Sequence, residues 1–232
     1  MSAHLSLATL NRTIHFGVIL TNGITELLDV APVDLFNGLT KEFLKDVPDE
    51  MFPAHFKDQG LDITFHWVSE HGSAVPAKLS SGLTITPTDS FESCPPLDIV
   101  LIGANNPLYQ PNEAELAYAR KSYESCLGFI TICGGFQVAL SAGILNGKTA
   151  TAPRMLLEDL KQKAPQVKWV EKRWVRDDKL WTSGTLLNGT DLMTNFIRQT
   201  WDVKEDSFIE FMLRACSSVD RDVDYKDVTW AL

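Results

Sequence analysis

Cys133 is the residue whose neighbours in the sequence most strongly suggest chemistry. It follows the apolar run 128–132 and precedes two glycines and a segment of small residues. A cysteine between a strand and a helix can stand on a sharp turn above the sheet, as a nucleophile elbow does. The helix N-terminus would favour the thiolate, and its free N–H groups would stabilise an oxyanion. The alternative is a buried structural cysteine before a tight turn.

The elements around Cys133 predict a sheet that would position it. Short apolar runs typical of buried parallel strands occur at 14–20, 61–68, 98–102 and 128–132. Helical patterns separate these runs, so we expect an α/β fold with a mostly parallel sheet and helices on both faces. The later elements are a hairpin at 174–181 and helices at 188–201 and 208–215.

Two further segments end predicted strands with polar residues. In an open parallel sheet, sites form where the carboxyl ends of strands meet. Residues 22–29, 103–106 and 131–135 each lie at the carboxyl end of a predicted strand. Asp29 closes the first of these segments. Its type and place also fit a plain N-cap of a helix that would run to about Leu44.

Composition limits the classes of function. The net charge is −9 without a Lys/Arg-rich run, which argues against a nucleic-acid partner or an anionic membrane surface. No apolar run is long enough for a transmembrane helix, and the first residues do not resemble a signal peptide. The cysteines, none of them in a CxxC pair, favour a reduced, cytoplasmic protein with neither a disulfide framework nor a zinc site. They are Cys94, Cys126, Cys133 and Cys216.

Four segments, in order, are similar to the ThiJ/PfpI superfamily and, within it, to the isonitrile hydratase branch. They are LLDVAPVDLF, SSGLTITPTDSFESCPPLDIVLIGAN, FITICGGFQVALSAGILNGKTATA and WVRDDKLWTSGTLLNGTDL. The resemblance spans about residues 14–201 and implies a flavodoxin-like three-layer sandwich that class I glutamine amidotransferases share. We therefore expect one domain over 1–232, with its core at about 14–201 and a C-terminal helical extension at 202–232. The resemblance also implies a homodimer.

The resemblance further implies a reaction. In the hydratase branch a cysteine engages the isonitrile carbon, an acid early in the chain manages protons, and water is added to give an N-substituted formamide. Matched segment by segment, Cys133 takes the place of the cysteine and Asp29 that of the acid. The backbone N–H groups of Gly134 and Asn105 take the place of the anion-stabilising amides. The expected partner is a small-molecule substrate, without a cofactor or a metal.

The chain departs from this branch at three places. The branch usually has Cys-Thr-Gly at the elbow, where this chain has a cysteine followed by Gly134. The predicted strand at 98–102 is usually followed by Pro-Gly-Gly in the branch, whereas here it is followed by Gly-Ala-Asn. Ala104 and Asn105 therefore add side chains that could contact substrate, although Asn105 could instead make a turn. Arg154 stands in a run where many members carry a histidine. It could bind an anionic substrate or lower the thiol pKa; a surface arginine is the alternative.

These departures leave three hypotheses open. The first is a cysteine-dependent hydratase or lyase. The second is an enzyme of the same fold with altered chemistry, such as an isomerase or cyclase acting on a specialised metabolite. The third is a redox-sensing or chaperone-like protein with a reactive thiol. A Cys–His pair for amidase chemistry has no support in the sequence, and glyoxalase-type relatives carry a Glu and a His near the cysteine.

Overall fold

The computed structural model describes residues 6–201 and 203–230, which are organised around a seven-stranded sheet. The strands are β1 (Ile14–Ile19), β2 (Ile24–Thr25), β3 (Ile63–Ser69), β4 (Ala77–Leu79), β5 (Thr84–Ile85), β6 (Asp89–Ser90), β7 (Ile99–Ile102), β8 (Gly128–Thr131), β9 (Thr149–Ala150), β10 (Lys168–Trp169), β11 (Trp174–Asp177) and β12 (Leu180–Ser183). The main sheet has the order β11-β12-β8-β7-β1-β3-β6. Its pairs are parallel except the β11–β12 hairpin.

Helices cover both faces of this sheet. They are α1 (Leu27–Val30), α2 (Asp34–Asn37), α3 (Lys41–Asp46), α4 (Glu113–Ser125), α5 (Phe136–Ser141), α6 (Leu157–Lys163), α7 (Leu186–Thr200) and α8 (Phe208–Ala215). Short 3-10 turns occur at Leu7–Thr9, Ala31–Val33, Asp49–Met51, Ala54–Gln59, Gly72–Ala74, Ser80–Gly82, Cys133–Gly135 and Arg154–Leu156. Within the described residues, no helix combines the length and apolarity that crossing a bilayer requires.

The central strands are buried on both sides. All four residues of β7 are inaccessible to solvent. Ile99 and Leu101 pack into the core beneath α7 and α8, whereas Val100 and Ile102 pack into the core beneath α4, α5 and α6. Because successive side chains of a strand point to opposite faces, a continuous apolar run fills both cores at once. The predicted fold class, a mostly parallel α/β sandwich, is confirmed.

The helix predicted from Asp29 to about Leu44 is wrong in its boundaries. The segment forms α1, a 3-10 turn and α2, and then α3 begins after Thr40, whose hydroxyl accepts from Phe43 N–H at 3.0 Å. Pro32 has no N–H with which to continue the hydrogen-bond ladder, so the helix is interrupted there. Glu26 is the N-cap of α1, and Asp29 lies inside its first turn. Asp29 is therefore available for another role.

The C-terminal residues pack onto the rest of the chain. Phe208, Met212 and Leu213 of α8 join the core beneath α7. Further along, the Tyr225 hydroxyl donates to Asn188 Oδ1 at 3.0 Å. The helix predicted at 208–215 and the predicted hairpin are both confirmed. The prediction of one domain over 1–232 stays a prediction, since its two ends lie outside the described residues.

Gly135 offers a test of how tightly the elements are joined. A Cβ at this position would lie 2.2 Å from Ile102 O of β7. We expect Gly135→Ala to destabilise the protein by about 1–3 kcal/mol, the usual penalty of overpacking. Urea unfolding measures this loss. The matched control is Gly38→Ala, where the nearest side-chain atom is 3.6 Å away and φ is −59°. Equal stability of the two variants would contradict the packing described here.

Candidate functional site

Cys133 stands on the turn that joins β8 to α5. Its φ of 53° lies in the left-handed region, which a residue with a side chain occupies at a cost of about 1–2 kcal/mol. The turn stays closed because Gly135 N–H donates to Ile132 O at 2.9 Å, and Ile132 N–H donates to Ile102 O at 3.0 Å. The elbow expected from the sequence is present, with its strained backbone at the cysteine itself.

Asp29 lies at the carboxyl end of β7 and is completely buried. Its Oδ2 accepts a hydrogen bond from Ala104 N–H at 2.8 Å. Gly103 permits this approach, because a Cβ there would lie 2.8 Å from the Asp29 Cβ. Asp29 Oδ1 has no hydrogen-bond partner among the described residues that meets ordinary geometric criteria. The Cys133 thiol lies beside this carboxyl group, so the acid is placed to exchange a proton with it.

Glu26 is a third member of the site, and the sequence reasoning missed it. One carboxylate oxygen of Glu26, one of Asp29 and the Cys133 sulfur all lie within 4.8 Å of one another. Glu26 is held in place because its N–H donates to Ala104 O at 2.8 Å. The signal that could have found it is its spacing of three residues from Asp29, which puts both acids on one side of a helical turn.

Burial controls the protonation of the site. It raises the pKa of Asp29 to about 7, with a smaller contribution from the charge of Glu26, against the opposing hydrogen bond from Ala104 N–H. Burial, and then the charge of Asp29, raise the pKa of Cys133 to about 12. The N–H of Gly134 at the start of the following turn does favour the thiolate, as expected, but burial and the charge of Asp29 outweigh it. At neutral pH the sulfur carries its proton, with a partly ionised acid beside it.

Backbone donors surround the sulfur. The N–H groups of Gly134 and Leu186 both act on Cys133 in the direction that lowers its pKa, although less strongly than burial raises it. Gly134 N–H thus lies where the sequence reasoning placed an anion-stabilising donor. Leu186, at the start of α7, was not foreseen, because only the fold brings that residue to the elbow.

A model of the DJ-1/PfpI family matches residues 22–199. The chain belongs to this family. It is 29% identical over 154 residues to an isonitrile hydratase of Pseudomonas putida, a match that covers 66% of each protein and so just under two thirds of that relative. It is 27% identical over 140 residues to a deglycase of Thermococcus kodakarensis, covering 55% of this chain and 82% of the deglycase.

Solved structures of the same family share the fold at low identity. A ThiJ/PfpI family protein from Pseudomonas syringae superposes with a TM-score of 0.65 at 16% identity, covering 93% of this chain and 78% of that one. DJ-1beta of Drosophila melanogaster gives a TM-score of 0.63 at 15% identity, covering 90% of this chain and all of that one. These likenesses concern the fold.

Gly134 and Ala104, two of the residues at which the chain departs from the hydratase branch, lie next to each other. A Cβ at Gly134 would lie 3.0 Å from the Ala104 Cβ, closer than such atoms usually pack. The methyl group of Ala104 therefore occupies space that a threonine after the cysteine would need. Ala104 itself is 4% exposed. The glycine at the elbow and the alanine that follows β7 therefore fit each other. The predicted contact of Ala104 with substrate stays a prediction.

Asn105 makes a turn contact. Its Oδ1 accepts a hydrogen bond from the Thr21 hydroxyl, and its backbone bridges to Thr25 of β2. Of the two alternatives raised by the sequence, these contacts favour the turn over a side chain that reaches into the pocket. The role expected of the Asn105 N–H as an anion donor stays a prediction.

Arg154 is held by the C-terminal part of the chain. Its Nε donates to Glu171 Oε1 at 2.9 Å, and its guanidinium lies 4.7 Å from the centre of the Tyr225 ring. The side chain is only 14% exposed, so the alternative of an ordinary surface arginine is wrong. These contacts anchor the C-terminal segment, and a role in binding substrate stays an untested prediction.

Glu26, Asp29 and Cys133 carry ligand-type atoms at a spacing that a cation could bridge. An ion there would occupy the sulfur that is needed for attack. A carboxyl group and a thiol that lie side by side, both with a raised pKa, are typical of a proton-transfer site. We therefore assign this cluster to proton transfer rather than to cation binding.

The raised pKa of Asp29 predicts how stability depends on pH. Since the folded pKa of about 7 exceeds the unfolded value of 3.8, Asp29 contributes stability below pH 4 that is lost as pH rises through 7. Asp29→Asn should remove this loss. The free energy of unfolding of the variant, relative to that of wild type, should therefore increase between pH 4.5 and pH 8. The gain is at most about 4 kcal/mol, at about 1.4 kcal/mol per pKa unit.

Urea unfolding at the two pH values measures the change. Glu50→Gln, which removes an exposed carboxyl group, serves as the control. A difference between Asp29→Asn and wild type that is the same at both pH values would contradict the buried, proton-binding state of Asp29.

Proposed function

We propose that the chain is a cysteine-dependent hydratase that adds water to the terminal carbon of a small isonitrile and releases an N-substituted formamide. The observation that carries this proposal is the position of the Cys133 sulfur within 4.8 Å of a carboxylate oxygen of Asp29, a fully buried acid whose pKa is raised to about 7. The similarity to an isonitrile hydratase supports the choice of substrate class.

In the first step the sulfur attacks the isonitrile carbon. Asp29 accepts the thiol proton and delivers it to the same carbon, so an S–C bond and a C–H bond form as the S–H bond breaks. The product is a thioimidate, in which the carbon is bound to sulfur and doubly bonded to nitrogen. Asp29 ends this step ionised, as it began. The N–H groups of Gly134 and Leu186 stabilise the charge that develops on sulfur.

In the second step water replaces the sulfur. Asp29 takes one proton from the water as the water oxygen bonds to the thioimidate carbon, and it passes this proton to the nitrogen, which becomes N–H. The C–S bond then breaks as the C=O bond forms, Asp29 carries the remaining hydroxyl proton to the sulfur, and the formamide leaves. The sum is isonitrile plus water to formamide, with the thiol and Asp29 returned to their initial states.

Incubation with a panel of isonitriles, with formamides detected by mass spectrometry, tests this proposal. We expect Cys133→Ala to abolish turnover and Asp29→Asn to lower it by about 10²–10⁴-fold, the usual contribution of a positioned acid or base. Matched controls are Cys216→Ser, an exposed cysteine, and Asp34→Asn, an exposed acid one helical turn away; both should retain wild-type rates. Full turnover by Cys133→Ala or Asp29→Asn would exclude the mechanism.

The pH profile of kcat/KM tests the roles of the two acids separately. Because Asp29 must be ionised to accept the thiol proton, kcat/KM should fall about tenfold per pH unit below about pH 7. The charge of Glu26 helps to raise the pKa of Asp29, so Glu26→Gln should move this acid limb to lower pH without abolishing turnover. An acid limb that stays in place in Glu26→Gln would show that Glu26 does not act through Asp29.

A second candidate is an enzyme of the same fold that acts on a carbonyl carbon, as the similarity to a deglycase suggests. Glu26 favours this second candidate, because glyoxalase-type relatives carry a Glu and a His near the cysteine and Glu26 supplies the Glu beside Cys133. A screen of carbonyl adducts, run beside the isonitriles, distinguishes the candidates. Turnover of carbonyl adducts alone, lost in Glu26→Gln, would favour this second reaction. The raised pKa of Cys133 argues against a redox sensor, which depends on the thiolate.

A further inference from the structure

A second cluster of metal-ligand residues lies on other strands of the sheet. A ring nitrogen of His66 on β3, a carboxylate oxygen of Asp89 on β6 and the Cys94 sulfur all lie within 4.8 Å of one another. The cluster shares no residue with Glu26, Asp29 and Cys133. It is reached from the opposite side of β1, since β3 and β6 form the edge of the sheet away from β8.

The hydrogen bonds of His66 determine which chemistry the cluster can perform. Its Nδ1 lies 2.9 Å from Asp89 Oδ2, and its Nε2 lies 2.9 Å from His15 Nδ1. Both ring nitrogens are therefore occupied by residues other than Cys94. Because neither nitrogen is free to take the thiol proton, the three residues do not form a Cys–His–Asp nucleophile system.

We propose instead that His66, Asp89 and Cys94 form a binding site for a divalent cation of the zinc class. Imidazole nitrogen, carboxylate oxygen and thiolate are the three ligand types that Zn²⁺ takes from proteins. The cation replaces the proton that His66 Nδ1 and Asp89 share. His66 Nε2–H then donates to His15 Nδ1, which orients the imidazole as partners of zinc-bound histidines commonly do. The Thr88 hydroxyl, which donates to Asp89 Oδ2 at 2.7 Å, holds the carboxylate.

The surroundings leave room for a fourth ligand. Cys94 lines a cavity of about 360 Å³, together with Tyr118 and Leu97. The Tyr118 hydroxyl lies next to the Cys94 sulfur. Of the three proposed ligands, Cys94 is the one that borders this cavity. Zinc sites with three protein ligands commonly retain water or another exchangeable ligand, and the Cys94 side of the cluster is the side that offers space for one.

A bound cation would also tie the edge of the sheet together. β6 is only two residues long and pairs with β3 through Val68 and Ser69. Cys94 follows in a turn, where its N–H donates to Ser90 O at 3.0 Å. A cation held by His66 on β3, by Asp89 on β6 and by Cys94 in the following turn connects these segments. Binding should therefore raise the melting temperature, since a ligand of the folded state stabilises it.

Titration with Co²⁺ tests the site, because Co²⁺ occupies zinc sites and reports a thiolate ligand through a near-ultraviolet sulfur-to-cobalt band. The full chain carrying Cys133→Ala is used, so that the other cluster cannot supply the sulfur. We expect one Co²⁺ per chain with this band. Adding Cys94→Ser should remove the band, and Cys94→Ser or Asp89→Asn should weaken Co²⁺ binding by more than about tenfold. The matched controls Cys216→Ser and His71→Gln should change neither.

His15 provides a second, independent test. If it orients His66, His15→Phe should weaken Co²⁺ or Zn²⁺ binding by about 10–100-fold with the sulfur band retained. Circular dichroism and the melting temperature without metal show whether each variant is folded. Zn²⁺ should raise the melting temperature of the Cys133→Ala protein, but not of its Cys94→Ser derivative. A sulfur band that persists in Cys94→Ser, or that is absent once Cys133 is replaced, would overturn the proposal.

Discussion

The burial of Asp29 against the end of β7 is the constraint on which the candidate site depends. The carboxylate approaches the strand closely enough to accept the Ala104 N–H only because residue 103 has no side chain. The same burial raises the pKa of Asp29 into the neutral range and, through its charge and shared desolvation, keeps the Cys133 thiol protonated. An exposed helix N-cap at Asp29 would have provided neither effect. The broken helix after β2 is thus the local structure that makes the acid functional.

The elbow and the neighbouring strand have to be considered as one packed unit. Gly135 leaves no space for a Cβ against Ile102 O, and Gly134 leaves little against Ala104. A side chain at either glycine would require these neighbours to move. Gly134 and Ala104 therefore fit each other, and the hydroxyl group of the branch's usual threonine is absent from this elbow.

The sequence predicted the parts of the structure that depend on local patterns. Continuous apolar runs predicted β1, β7 and β8, and the glycines after Cys133 predicted the sharp turn. The position of Asp29 as the acid came from the resemblance alone, since locally it reads as a helix cap. Glu26 and the direction of the Cys133 pKa could not be predicted, because both depend on burial and on contacts between α1 and the elbow. Likewise, residues 46–60 are polar and broken by two prolines, a pattern that indicates a surface loop or a ragged helix end, whereas Phe52 and Phe56 are buried against Phe208.

A protonated thiol is better suited to an isonitrile than a thiolate would be. The terminal carbon of an isonitrile must receive both a nucleophile and a proton before water can replace the nucleophile. A low-pKa thiolate would supply only the first, and the proton would then have to come from Asp29. A thiol that shares its proton with Asp29 supplies both from within the site, at the moment when the S–C bond forms. Attack on a carbonyl adduct requires a proton on oxygen instead of on carbon. Glu26, rather than the thiol, could supply that proton. The buried carboxyl group beside the Cys133 sulfur is therefore the feature of this site that most favours the proposed hydration.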